Sequence, residues 1–108
     1  MGVTKSEFFT KEQNEIATIA KVLGHPARIA ILDFIIKLET CGCGDLVKDI
    51  GLAQPTISQH LKELKKVGIL KGKIEGTSVC YCIDEEKWDS IRNKFNKFLN
   101  KNSTENCC

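Results

Sequence analysis

Ala53-Gln-Pro-Thr-Ile-Ser-Gln-His-Leu-Lys-Glu-Leu-Lys-Lys-Val-Gly68 reads as one helix with a marked start and stop. Pro55 suits the first helical position, where its missing N–H costs nothing. Gly68 suits the left-handed position just past the end. Ile57, Leu61 and Leu64 recur at helical spacing and form one narrow apolar stripe. After Gln54, the first turns carry Thr56, Ser58, Gln59 and His60, read as exposed side chains that donate and accept hydrogen bonds, and Lys62, Lys65 and Lys66 follow. A helix with this layout fits a major groove: the first turns read base edges and the lysines meet phosphates. Taken alone, the pattern also describes an ordinary amphipathic surface helix, so the flanking stretches decide.

Upstream lies Cys41-Gly-Cys-Gly-Asp45, in which two glycines make a flexible turn. Asp45 then opens a short helix, Leu46 to Ile50, closed by Gly51. Short helix, tight turn and longer helix make a helix-turn-helix. Further upstream, Thr10 and Gln13 form a capping box. Ile16, Ile19, Ala20 and Leu23 line the helix that follows, and Gly24 ends it. His25-Pro26 starts a second helix through Leu38 that is apolar nearly all round, which predicts burial. Downstream of Gly68 the period changes. Ile69 to Glu75 and Ser78 to Ile83 read as two strands joined at Gly76-Thr77, with Val79, Tyr81 and Ile83 on the core face and Cys80 and Cys82 on the other. Asp84, Glu85 and Glu86 carry the right charge to open a last helix. Trp88, Ile91, Phe95 and Phe98 line its apolar face, a surface large enough to suggest a second copy as partner.

The expected fold is mainly α with a small β-hairpin, a winged helix-turn-helix. At 108 residues the chain is expected to be one domain over 1–100, with 101–108 a flexible tail that ends in Cys107-Cys108. Net charge is only +2, but five lysines against one glutamate fall between Lys62 and Lys73, a basic block that can follow a phosphate backbone. No stretch is apolar and long enough to span a membrane, and the N-terminus has no signal-peptide core. The expected location is therefore cytoplasmic. Six cysteines in such a chain are expected to stay reduced, which points to metal or redox chemistry rather than a disulfide scaffold.

Leu23-Gly-His-Pro-Ala-Arg28, Gln54-Pro-Thr-Ile-Ser-Gln-His-Leu61 and the Cys-x-Cys before Asp45-Leu46, taken with the order of elements, resemble the ArsR/SmtB family of metal-responsive winged-helix repressors. The resemblance covers Glu15 to Ile83. It implies a bacterial homodimer, joined through its first and last helices, that binds double-stranded operator DNA and lets go when an inducer binds. By the same match, Gln54, Thr56, Ser58, Gln59 and His60 fall where the family reads its operator, and Lys71, Lys73 and Thr77 fall in the wing. No permanent cofactor and no enzymatic activity are implied.

Thiolates select soft, thiophilic metals. Cys41 and Cys43, with glycines beside them, can lie on one side of an extended backbone and chelate. They precede the first helix of the helix-turn-helix, where binding can tilt it. In the family, a Cys-x-Cys here marks sensors of arsenite or antimonite, and also of cadmium or lead. This chain departs from those patterns. Gly44 is inserted after the second cysteine, the usual third arsenic ligand would fall near Leu46 or Val47, and no cysteine precedes Cys41. Cys107 or Cys108 is the first candidate for a third ligand, and Cys80 and Cys82 form a possible second site. His25 reads as a helix-start residue rather than a ligand. Persulfide or oxidant sensing fits the same cysteines. Two other classes remain: a thiol reductase, against which stands the lack of a Cys-x-x-Cys in a strand-then-helix setting, and a metal carrier, which leaves the Gln54–His60 surface unexplained.

Overall fold

The computed structural model describes residues 7–38, 50–75 and 78–102, and within the hairpin it describes the side chains of 70–72 and 80–83. Among the described residues, four helices and one hairpin follow in order: α1 (Lys11–Leu23), α2 (Pro26–Lys37), α3 (Gln54–Lys66), β1 (Leu70–Glu75), β2 (Ser78–Ile83) and α4 (Glu85–Leu99). The strands pair antiparallel, with Leu70 opposite Ile83, Lys71 opposite Cys82 and Lys73 opposite Cys80. This is the expected winged helix-turn-helix order. Asp45 and the short helix before Gly51 lie outside the described residues, apart from Ile50, which is helical.

Local signals set the ends of the helices. Thr10 caps α1 by accepting from the Gln13 N–H at 3.0 Å, and the Gln13 side chain accepts from the Thr10 N–H at 3.0 Å, the reciprocal box its spacing announces. His25 caps α2 through Nδ1, which accepts from the Ala27 N–H at 3.2 Å. Asp84 caps α4 by accepting from the Lys87 N–H at 3.2 Å. Helix α3 has no side-chain cap, and Gln54 is its first residue, so Pro55 takes the second position rather than the first. Its far end is closed by backbone alone. Gly68 adopts φ +87°, its N–H donates to Lys65 O at 2.9 Å, and the Ile69 N–H donates to Leu64 O at 3.1 Å. That is the Schellman arrangement, which needs a left-handed residue at this point. It turns the chain straight into β1. The Asp84 N–H donates to Ile69 O at 2.9 Å and closes the base of the hairpin.

One apolar cluster joins all six elements and includes Ile19, Ile31, Leu32, Ile35, Ile57, Leu61, Leu64, Ile69, Leu70, Ile83 and Ile91. Each such side chain, fully buried, contributes about 1.5–3 kcal/mol relative to exposure. Helix α2 packs against α1, α3 and β2, and α1 packs against α4. The expectation that α2 is buried all round is only half met. Ile31, Leu32 and Ile35 are covered, but Ile29 and Ile36 are 48% and 49% exposed. Those two positions face away from the three elements that pack on α2.

Candidate nucleic-acid interface

Helix α3 presents two unlike faces. Ile57, His60, Leu61 and Leu64 are buried. Gln54, Thr56, Ser58, Gln59, Lys62, Lys65 and Lys66 are exposed. The outward amides are already oriented. Gln54 Nε2 donates to Ser58 Oγ at 3.1 Å, and Gln59 Nε2 donates to Glu63 Oε2 at 3.2 Å. Amide, hydroxyl and ammonium groups along the first turns and flank of one exposed helix are the groups that bond base edges and phosphates. Lys71 is exposed at the start of β1, two residues from Lys73 on the same strand. Thr77 lies outside the described residues.

His60 departs from the expected outward set. It is 7% exposed. Arg28 Nε donates to its Nδ1 at 3.1 Å, and the same guanidinium donates through Nη1 to Val22 O at 3.2 Å. The His25 ring lies 4.4 Å from the His60 ring, tilted by 60°. With Nδ1 accepting, the neutral ring carries its proton on Nε2. Burial, with His25 and Arg28 close by, lowers the pKa of His60. The signal was in the spacing: His60 follows Ile57 by three residues and precedes Leu64 by four, so it falls on the apolar stripe. Arg28 is the residue that sequence reasoning left without a role. It links α2 to the inner face of α3 and fixes how that helix is presented.

The cysteines divide in two. Cys41, Cys43, Cys107 and Cys108 lie outside the described residues. Cys80 and Cys82 are described, and both differ from expectation. Cys80 is on the face of β2 opposite Ile83, yet it is 0% exposed, and Cys82 is half-buried. Both are disulfide-bonded rather than reduced. The physical reason is proximity, since a disulfide forms only where sulfurs can come within about 2 Å of each other. Among the described residues no group of three or more His, Cys, Asp or Glu side chains could hold a metal ion.

Helices α1 and α4 leave between them an open groove of about 580 Å³, lined by Phe9, Ile16, Ile19, Ile91 and Phe95 with Glu15 and Lys94 among its polar residues. Lys94 Nζ stands 3.2 Å from Glu15 Oε1. Phe8, Phe9, Phe98 and Leu99 are exposed at the ends of these helices. No helix among the described residues is long and apolar enough to cross a membrane.

A hairpin wing beside a helix with an outward hydrogen-bonding face defines a winged-helix DNA-binding protein. Comparison with known proteins agrees. The family described as bacterial regulatory protein, arsR family, matches residues 25–71. The arsenical resistance operon repressor of Staphylococcus xylosus is 36% identical over 71% of this chain and 73% of its own length. The biofilm growth-associated repressor of Xylella fastidiosa is 33% identical over 75% of this chain and 70% of its own length. Among solved structures, the transcriptional repressor BigR from Xylella fastidiosa superposes with a TM-score of 0.63 at 29% identity, covering 85% of this chain and 93% of that one. The homodimeric winged helix-turn-helix DNA-binding domain Mb0332 from Mycobacterium bovis gives a TM-score of 0.61 at 26% identity, covering 81% of this chain and 78% of that chain. The chain belongs to the arsR family of bacterial regulatory proteins. Its family and fold are those of DNA-binding transcriptional repressors, not of enzymes.

Proposed function

We propose that two copies of this chain, joined through α1 and α4, repress transcription by holding an operator, and that they release it when Cys41 and Cys43 bind trivalent arsenic or antimony. The observation that carries the DNA half is the outward face of α3, where Gln54, Thr56, Ser58 and Gln59 are exposed on a helix whose opposite face is anchored. The apolar groove between α1 and α4 and the exposed phenylalanines at their ends support the dimer, because a second copy would cover them. A two-fold dimer would set its reading helices one DNA turn apart, about 34 Å. Lys71, Lys73 and Thr77 would meet the backbone beside the groove.

The inducer is inferred from chemistry and kinship. Cys41-Gly-Cys43 is a compact soft-ligand pair. Two relatives, 36% and 32% identical, carry the name arsenical resistance operon repressor. Cadmium or lead would use the same thiols. Persulfide or oxidant sensing is the second reading, favoured by the disulfide bonding of Cys80 and Cys82. If inducer lowers operator affinity, operator lowers inducer affinity by the same factor, commonly about 1–3 kcal/mol.

Fluorescence anisotropy of reduced, anaerobic protein on its own promoter DNA tests this directly. Arsenite is expected to release the complex. Gln59→Ala and Ser58→Ala should weaken operator binding and leave arsenite affinity unchanged. Cys41→Ser or Cys43→Ser should keep operator binding and abolish release. Full release of Cys43→Ser by arsenite would show that the inducer site is elsewhere. Release by cadmium alone, or by a persulfide donor alone, would replace the arsenite reading with the corresponding alternative.

A further inference from the structure

We propose that the junction of His25, Arg28 and His60 is a proton-operated latch: protonating His60 unseats the reading helix α3 and releases operator DNA. Mild acid is then a release signal separate from the inducer. The inference rests on the DNA half of the reading above and uses no cysteine.

Geometry carries it. His60 is the polar side chain that α3 turns inward among Ile57, Leu61 and Leu64. Its hold on α2 is directional. Arg28 Nε donates to Nδ1 of His60 at 3.1 Å, and Nη1 of the same guanidinium donates to Val22 O at 3.2 Å. One side chain thus ties α1, α2 and α3 together. The tie lasts only while Nδ1 keeps its lone pair. A guanidinium has no acceptor and stays charged, so a proton on Nδ1 turns the bond into a contact between two cations. The His25 ring, 4.4 Å from that of His60, offers no carboxylate in its place.

The surroundings are basic. The charged groups facing the junction are Lys21 of α1, His25 and Arg28 at the start of α2, and Glu63 of α3, which line an open cleft of about 570 Å³. Elsewhere on the packed elements, Asp33 of α2 and Lys71 of β1 are exposed, and Lys87 of α4 lies beside Gly68, past the far end of α3. Among the described residues of the cleft Glu63 is the one carboxylate, and its Oε2 accepts from Gln59 Nε2 at 3.2 Å. A charged His60 competes for Glu63 and draws it off Gln59, an outward reading amide. Burial and the two basic neighbours lower the pKa of His60, so the neutral ring is the seated form.

The coupling to DNA comes from adjacency. Ser58 and Gln59, both exposed, directly precede His60, so a shift of the helix at His60 moves both against the base edges. The sign is diagnostic. Added positive charge by itself tightens binding to a polyanion. A fall in affinity on acidification therefore needs a change in how α3 is presented. By linkage, an operator that prefers the seated form lowers the His60 pKa further, by the factor by which the proton lowers operator affinity.

The test uses the reduced full-length protein on its own promoter DNA, with no metal added. Anisotropy follows affinity from about pH 7.5 to about pH 5 at fixed ionic strength, above the range in which ordinary carboxylates titrate. Wild type should lose about fivefold or more in affinity across that range. His60→Gln keeps an acceptor for Arg28 and removes the titration, so its affinity should stay level or tighten as pH falls. His25→Asn, which keeps a cap for α2, should retain the fall. Ring-proton NMR of wild type covers the case in which His60→Gln does not fold: His60 should titrate at a lower pH on operator DNA than in the free protein. A flat or tightening wild-type profile overturns the latch and leaves the operator reading intact. So does an equal fall in His60→Gln, or a fall lost only in His25→Asn. Loss of helical circular dichroism in wild type at the acid end also overturns it, because release is then unfolding. Failure to bind promoter DNA at any pH removes instead the reading on which the latch rests.

Discussion

Helix α3 and strand β2 each turn a chemically active side chain inward, and they satisfy it differently. On α3, His60 meets a closed set of partners: the Arg28 guanidinium on Nδ1 and the His25 ring at 4.4 Å. On β2, Cys80 is just as deeply covered, and its sulfur is in a disulfide. The first arrangement is packing plus a hydrogen bond, which changes only when the protein unfolds or the ring is protonated. The second is a covalent bond between sulfurs, which a thiol can open by exchange, leaving thiols free to react further. The comparison teaches where a signal can enter. The reading helix is seated by groups that resist reagents, whereas the wing is tied by groups that respond to them.

The largest expected effect tests the seat of α3. Leu64→Ala removes a side chain with no exposure and should cost about 2–5 kcal/mol, read as a lower denaturation midpoint at fixed protein concentration. A loss under about 1 kcal/mol would mean that α3 is held mainly by something other than its stripe.

Arg28→Ala comes next. It leaves the buried Nδ1 of His60 without its donor, a cost of about 1–3 kcal/mol. It should also weaken operator binding, because the tie between α2 and α3 that sets the angle of the reading helix is gone. Unchanged operator affinity in a folded variant would reduce Arg28 to a purely structural residue.

The smallest effect is a pH dependence that sharpens the contrast. Burial first, then His25 and Arg28, hold the His60 pKa below 6.5. The unfolded chain therefore takes up this proton at a higher pH than the folded one. The stabilisation is full above about pH 6.5 and is lost as pH falls through the depressed folded value. Protonation also removes the Nδ1 acceptor and places an imidazolium against the guanidinium. Between about pH 7.5 and about pH 5.5, wild type should lose more stability than His60→Gln. Equal losses would show that another group dominates the slope.

Much of this was legible in the residues themselves. Thr10 with Gln13, His25 before Pro26, Gly68 after Lys66, and Asp84 before two glutamates each satisfy backbone groups within a few positions, so short-range pattern suffices to read them. The exposed set Gln54, Thr56, Ser58 and Gln59 was legible for the same reason, as the polar side of a stripe. His60 was misplaced because its polarity was weighed above its position on that stripe. Cys80 was misplaced because strand alternation names two faces but not what covers each of them. The exposure of Ile29 and Ile36 shows the same limit in reverse, since composition marks a helix as apolar but does not count its neighbours.

The sequence by itself therefore determined the order of elements, the ends of the helices, the turn from α3 into β1 and the family. All of these rest on contacts between residues close in the chain or on motifs carried whole. Only the tertiary structure decided that Arg28 reaches across 32 residues to hold His60, that Cys80 is fully buried, and that α1 and α4 leave an apolar groove between them. Those facts depend on which elements meet, and burial and long-range hydrogen bonds exist only once they do.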